Sequence, residues 1–194
     1  MKEKIKILIF VLFLGSISGS LLLGVDKYTK FRIVKNQEFK IKAAVLDVFG
    51  LLYDKKSLEG VFKENIEMIK SDGFIFYKSK NGEFAFEFSG SGLWGPISGI
   101  IALEKDLKTI KGIKIIHQEE TPGLGGRIAE AEFLSRFQGK EILPVIKIVP
   151  EGKAKEKNEV DAITGATGTS RAFEKLLNEN IQKKLKILST NEKE

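Results

Sequence analysis

The chain has no cysteine among its 194 residues. Its absence excludes disulfides, thiolate metal sites, cluster ligation, a thiol nucleophile and a lipid-bearing cysteine near the start. A single histidine, His117, excludes any metal centre built from several imidazoles. Charge of one sign does not dominate either: 32 Lys and Arg stand against 26 Asp and Glu, a formal net charge of +6. The basic residues are scattered among acidic ones and not gathered with aromatics, so nucleic-acid binding is not expected. There are four prolines and one tryptophan, Trp94, and no internal repeat. What the chain does have is 42% hydrophobic residues, enough to bury one core and so to make one soluble domain.

One long apolar run stands apart. Ile7 to Val25, ILIFVLFLGSISGSLLLGV, is nineteen residues without a charge, preceded by Lys2, Lys4 and Lys6 and followed by Asp26 and Lys27. At about 1.5 Å per residue it spans a bilayer core of about 30 Å. A cleaved signal peptide fits the basic start and Ser16, Ser18 and Ser20. The apolar LLLGV continuing past those small residues favours a retained anchor over residues 1–26. Gly15 and Gly19 have the spacing that lets a second helix approach closely. Lysines at both ends leave the orientation undetermined by charge.

Residues 27–56 read as a connecting segment, with Phe31 to Val48 an extended helical or mixed stalk, and residues 57–194 as the domain. Ser57 is placed to cap a helix through about Lys70 with Val61, Phe62, Ile66 and Ile69 on one face. GFIFYKS, Asn81-Gly82 and EFAFEFSG form a hairpin signature. Ile97–Leu103 and Ile113–Ile116 read as two further strands, about Ile128–Phe137 as a short helix and VIKIV as a strand. EGKAKEKNEV is a solvated loop or hairpin tip. The last helix, about Ser170–Leu188, carries Phe173, Leu176, Leu177, Ile181, Leu185 and Leu188 along one stripe. Adjacent strands with segregated helices give an α+β domain, a mainly antiparallel sheet flanked by helices.

Two glycine-rich segments interrupt this pattern. SGSGLWGPISG, Ser89–Gly99, is either a wide turn with Trp94 plugging the core or a backbone close to a flat ligand walled by Trp94 and Pro96. EETPGLGGRI, Glu119–Ile128, is either a capped turn or a site where carboxylates accept hydrogen bonds from a ligand. Its spacing matches neither a dinucleotide fingerprint nor a P-loop. Adjacent glutamates on a strand point to opposite faces, so they are no glycosidase pair. His117, on the preceding strand, reads as structural.

A third segment, DAITGATGTS from Asp161 to Ser170, runs straight into the last helix. Small hydroxylic residues cap helices with no chemistry involved. They also suit an anion held where the first helical N–H groups lack partners.

Together DAITGAT, GLW-x-P and ETPGLGG resemble the FMN-binding subunit of the ion-pumping redox complexes, found in the Rnf complex as RnfG and in the Na+-translocating NADH:quinone reductase as NqrC. The resemblance implies an electron carrier in which Thr167 is esterified to the phosphate of FMN by a separate flavin transferase using FAD. Asp161, Thr164, Gly165 and Ala166 complete the pattern that enzyme reads. Glu120, Thr121, Leu124 and Gly125 are implied to line the flavin ring with Trp94 nearby, and Thr169 and Ser170 to bond the phosphate or cap the helix. The family places the domain on the outer face of the cytoplasmic membrane, among other membrane subunits of the complex. Here Gln118 and Glu119 separate His117 from the Glu-Thr-Pro run. GLW resembles the quinone-reductase branch, and the short chain the Rnf branch. Two rival readings are a non-redox membrane-anchored binding module and a soluble flavin reductase with an exchanging cofactor.

Overall fold

A computed structural model describes residues 2–191. The first helix, α1 (Lys2–Phe49), contains a stretch long and apolar enough to cross a membrane, with its apolar side chains from Ile5 to Val25 exposed. The chain divides into two compact units, the first ending at Phe39 and the second starting at Lys40. Within the second unit the end of α1 is core material, since Ala44, Val45, Leu46, Val48 and Phe49 are buried.

α2 (Leu58–Asn65) is followed at once by β1 (Ile66–Ser71), so the helix expected through Lys70 stops short. Ile66 and Ile69 are three apart and mimic a helical face, but Ile66–Ser71 pairs residue by residue with Phe74–Ser79 of β2. The turn between them holds Asp72 at φ 47° and Gly73 at φ 76°. Two successive positive φ angles are the mark of a type I′ turn, the tight hairpin geometry that Asp-Gly favours.

β2 (Phe74–Ser79) and β3 (Phe84–Ser91) form the expected hairpin around Gly82, with Phe76 opposite Phe86. β4 (Pro96–Leu103) and β5 (Ile110–Gln118) complete an antiparallel meander in the order β1-β2-β3-β4-β5. A 3₁₀ turn (Gly125–Ala129) and the short α3 (Ala131–Ser135) occupy the stretch expected as one short helix.

β6 (Lys147–Val149) and β7 (Glu159–Asp161) pair in parallel, so the charged run between them is a crossover loop and not a hairpin tip. The chain closes with α4 (Thr167–Asn191), which packs its apolar stripe on β3. Phe173 sits at the centre, its ring 6.0 Å from Phe88 and 5.8 Å from Phe137, both near edge-on. Asn178 of α4 fixes the chain ahead of β6 through both backbone groups of Ile146, at 2.9 and 2.8 Å, and Glu174 accepts the Ile148 N–H. The architecture is α+β with a mainly antiparallel sheet, as the sequence implies.

Candidate functional site

The site is built where three segments meet: the β3–β4 loop Gly92–Gly95, the turn Glu120–Gly126 after β5, and the start of α4. Gly92 N–H closes the first loop on the Gly95 carbonyl at 2.8 Å, which leaves Leu93 and Trp94 at the tip. Thr121 O accepts the N–H groups of Leu124 and Gly126 at 3.2 and 2.9 Å, closing the second.

Glu120 joins all three. Its side chain is buried, 4% exposed, and Oε1 accepts the Leu93 and Trp94 N–H groups at 2.7 and 3.1 Å. Oε2 accepts the Thr169 hydroxyl at 2.7 Å. Gln118 Oε1 in turn accepts the Glu120 N–H at 2.6 Å. Two glycines leave room for this carboxylate. A Cβ on Gly125 would fall inside van der Waals contact of Thr169 Oγ1 and 2.8 Å from Glu120 Oε2. One on Gly92 would press on Glu120 Oε1 and lie 2.8 Å from the Gly95 carbonyl.

The start of α4 is shaped by a turn. Gly165 adopts φ 81°, Ala166 N–H donates to the Ile163 carbonyl at 3.0 Å, and Ser170 Oγ accepts the Ile163 N–H at 3.3 Å. Thr169 and Ser170 therefore turn inward, buried and engaged by protein partners. Thr164 and Thr167 face outward, with the buried Ala166 between them. Thr167 is the first residue of α4, where amides lack intrahelical acceptors and the dipole is positive.

An apolar shelf borders that hydroxyl. Leu93, Trp94 and Leu124 are 52%, 73% and 48% exposed. Leu93 Cδ2 lies 2.8 Å from the position of a Cβ on Gly168, and Leu124 Cδ2 lies 3.6 Å from that on Gly165. Thr167 stands on the turn between these two contacts. Trp94, so exposed, does not plug the core; the core is filled by phenylalanines. An open depression of about 480 Å³ runs along Ser89–Ser98 beside it.

The remaining expected residues fall around this centre. Thr121 and Pro122 are exposed on the turn. Asp161 faces away from Thr167's shelf into the crossover loop, where Oδ1 accepts the Lys153 and Ala154 N–H groups, each at 3.0 Å. Those bonds, the one from Ala154 foremost, hold its carboxyl below the usual carboxylate range. The guanidinium of Arg136 donates to the carbonyls of Asp161 and Ala162 at 3.3 and 3.2 Å and steadies the approach to α4. His117 is exposed and pairs through Nε2 with Glu119 Oε1 at 3.1 Å, and Glu119 and Glu120 point to opposite sides as strand neighbours do. Leu93 and Gln118 were not among the expected site residues. Leu93 was readable as the second exposed apolar residue of the glycine-flanked tip, whereas Gln118 gives no such signal.

A reactive hydroxyl at a helix N-terminus beside an exposed apolar shelf fits a molecule that joins a phosphate to a flat ring. That combination on an α+β scaffold defines a flavin-mononucleotide-binding class of domain. Residues 92–182 match the FMN-binding domain family, and the chain carries an FMN-binding domain of the type found in NqrC, a subunit of the Na+-translocating NADH-quinone reductase. The NqrC protein of Vibrio vulnificus is 34% identical over 110 residues, 52% of this chain and 43% of that protein. The corresponding Vibrio campbellii protein is 37% identical over 111 residues, 52% of this chain and 42% of its own length. The matched stretch thus spans less than half of these relatives. Among solved structures, the same reductase subunit from Parabacteroides distasonis superposes with a TM-score of 0.69 at 25% identity, covering 79% of this chain and 93% of that one. NqrC of Shewanella oneidensis shares the fold, with a TM-score of 0.65 at 21% identity over 71% and 88% of the two chains.

Proposed function

We propose that this chain is an electron-carrier subunit of a Na+-translocating NADH:quinone reductase, anchored by residues 1–26 and holding one FMN covalently on Thr167. The exposed Thr167 hydroxyl, set at the start of α4 between Leu93 and Leu124, carries the reading. In the attachment step a flavin transferase joins Thr167 Oγ1 to the FMN phosphorus of FAD. The pyrophosphate bond breaks, AMP leaves, and the hydroxyl proton passes to the leaving phosphate or to solvent. The phosphodiester left behind is one negative charge at a helix N-terminus, where backbone N–H groups and the dipole favour it.

When bound, FMN supplies one- and two-electron redox chemistry, and the protein supplies position, surroundings and an accessible edge. Leu93, Trp94 and Leu124 offer the ring an apolar surface, and Thr121 lies at its margin. Asp161, Thr164, Gly165 and Ala166 form the pattern the transferase reads, with the small residues giving it access to Thr167. Residues 27–56 connect the anchor to the flavin domain at 57–194, on the outer face of the cytoplasmic membrane, where neighbouring subunits donate and accept electrons. NqrC relatives and structures support the quinone-reductase assignment over the Rnf complex.

Intact-mass measurement and peptide mapping of protein isolated from its native membrane test this reading. The expected result is one FMN on the peptide containing Thr167, retained on denaturation and absent from Thr167→Ala, with residues 1–26 present. An unmodified Thr167 in the presence of an active transferase overturns it.

A further inference from the structure

We infer that Glu120 is a positioning residue: one buried carboxylate assembles the ring-facing surface by tying the Leu93–Trp94 tip and the 120–126 turn to the start of α4. The inference deepens the flavin-carrier reading and rests on it for its redox consequence alone. Both carboxylate oxygens are committed within the protein, one to the Leu93 and Trp94 amides and the other to Thr169 Oγ1. Glu120 thus reaches the ring through the residues it holds, whereas its exposed neighbour Glu119 pairs with His117.

The surroundings are built for this arrangement. Gly92 and Gly125 place backbone where any side chain would displace a carboxylate oxygen, and Gln118 fixes the Glu120 backbone from behind. Leu93 and Trp94 are otherwise tip residues, about half and three-quarters exposed, with no buried side chain to hold them. Such a tip samples many conformations unless its amides are bound. Two charge-assisted bonds to adjacent amides restrict it, and each is stronger than a neutral bond. The third, to Thr169, ties that tip to the helix that carries Thr167 two residues earlier. Attachment point and ring surface are therefore held in register before any cofactor arrives.

A second consequence follows from charge. A buried carboxylate directly beneath the tip opposes extra electron density on a ring resting there, because low-dielectric surroundings screen it weakly. Gln at position 120 keeps the geometry: its carbonyl oxygen accepts both amides and its NH2 donates to Thr169 Oγ1, while the charge is gone.

The test uses the full-length chain in detergent, as Glu120→Gln and Glu120→Ala beside the unaltered protein. Without cofactor, amide hydrogen exchange at Leu93 and Trp94 is expected to accelerate at least tenfold in Glu120→Ala and to stay near the unaltered rate in Glu120→Gln. With FMN on Thr167, Glu120→Ala is expected to lose part of the quenching of Trp94 fluorescence by the flavin. Glu120→Gln is expected to keep the quenching and shift the flavin midpoint potential upward. Unchanged exchange in Glu120→Ala overturns the positioning role, and an unshifted potential in Glu120→Gln overturns the charge effect. Absence of FMN from Thr167 in the unaltered chain overturns the carrier reading instead, and the exchange rates still decide the role of Glu120.

Discussion

Thr169 Oγ1 donates to Glu120 Oε2 at 2.7 Å, and both residues are buried although they lie 49 positions apart in the chain. A hydroxyl in the first turn of a helix ordinarily serves the helix itself. Here it serves a carboxylate from another segment, and the helix start becomes part of the site. Replacing Thr169 by Val keeps the shape and removes the donor, leaving a buried carboxylate oxygen without its partner. The expected loss is about 1–3 kcal/mol, with Thr169→Ser retaining most of the stability. Urea unfolding of the three proteins followed by circular dichroism measures the difference, and equal midpoints for Val and unaltered protein contradict it.

Gly125 and Gly168 make a contrast of the same substitution. A Cβ at 125 strikes Thr169 Oγ1 and Glu120 Oε2, both held by hydrogen bonds, so Gly125→Ala must break the bridge or shift the turn. The expected cost is about 1–3 kcal/mol, as for overpacking elsewhere. A Cβ at 168 meets Leu93 Cδ2 at 2.8 Å, the far end of a half-exposed side chain that can swing away. Alanine is also the better helix former, by about 1 kcal/mol. Gly168→Ala is therefore expected to leave stability within about 1 kcal/mol of the original. Thermal unfolding of both variants gives the ranking, and a larger loss at 168 than at 125 reverses the argument.

Much of the fold is legible in residues next to one another. Asn81-Gly82 between phenylalanine-rich runs announces the β2–β3 hairpin, and the stripe from Phe173 to Leu188 announces α4, because each signal is local and periodic. β1 is hidden since Ile66 and Ile69 keep helical spacing after a true helix; Asp72-Gly73 was the competing local signal. β7 is three residues long with a charged residue at each end, so nothing in its own sequence marks it, and its parallel pairing with β6 is a tertiary fact. At the site the turn motif reveals Thr167. The inward direction of Thr169 and Ser170 and the three bonds of Glu120 depend on segments far apart in sequence, and no spacing rule reaches that far.

The two tyrosines of the folded domain predict an alkaline signature. Burial, then the charge and hydrogen bonding of Glu87, push the Tyr77 phenol well above its ordinary value, and burial together with Asp47 pushes Tyr53 up to about 12. Each folded-state value is raised, so the stability these groups contribute is complete below the unfolded value of 10.0 and is lost as pH climbs beyond it. Between pH 8 and about 10 the unfolding midpoint is expected to be insensitive to both phenols. Above that range it falls, and less steeply in Tyr77→Phe, which has no proton to lose. Spectrophotometric titration should show Tyr28 ionising near pH 10, with Tyr77 following only as the domain unfolds. Ordinary titration of all three in the folded protein contradicts the assignment.

Phe173 links the sheet, α3 and the helix that begins at Thr167, and its truncation tests whether the aromatic cluster supports the site. The side chain is fully buried, with rings of Phe88, Phe133 and Phe137 at 6.0, 6.2 and 5.8 Å. Phe173→Ala removes the ring common to all three pairs and leaves a cavity that backbone on both sides, strand and helix, is too stiff to fill. The expected loss is about 3–5 kcal/mol, a large part of the about 5–15 kcal/mol by which domains of this kind are stable. Phe173→Leu keeps most of the volume and is expected to lose less than half as much. Since Thr169 lies one helical turn before Phe173, loosening this contact should raise amide exchange at the start of α4 before global unfolding sets in. Chemical denaturation of both variants, with exchange measured at residues 167–173, distinguishes a supporting core from an independent site: exchange that rises only in step with global stability shows the whole domain opening as one unit.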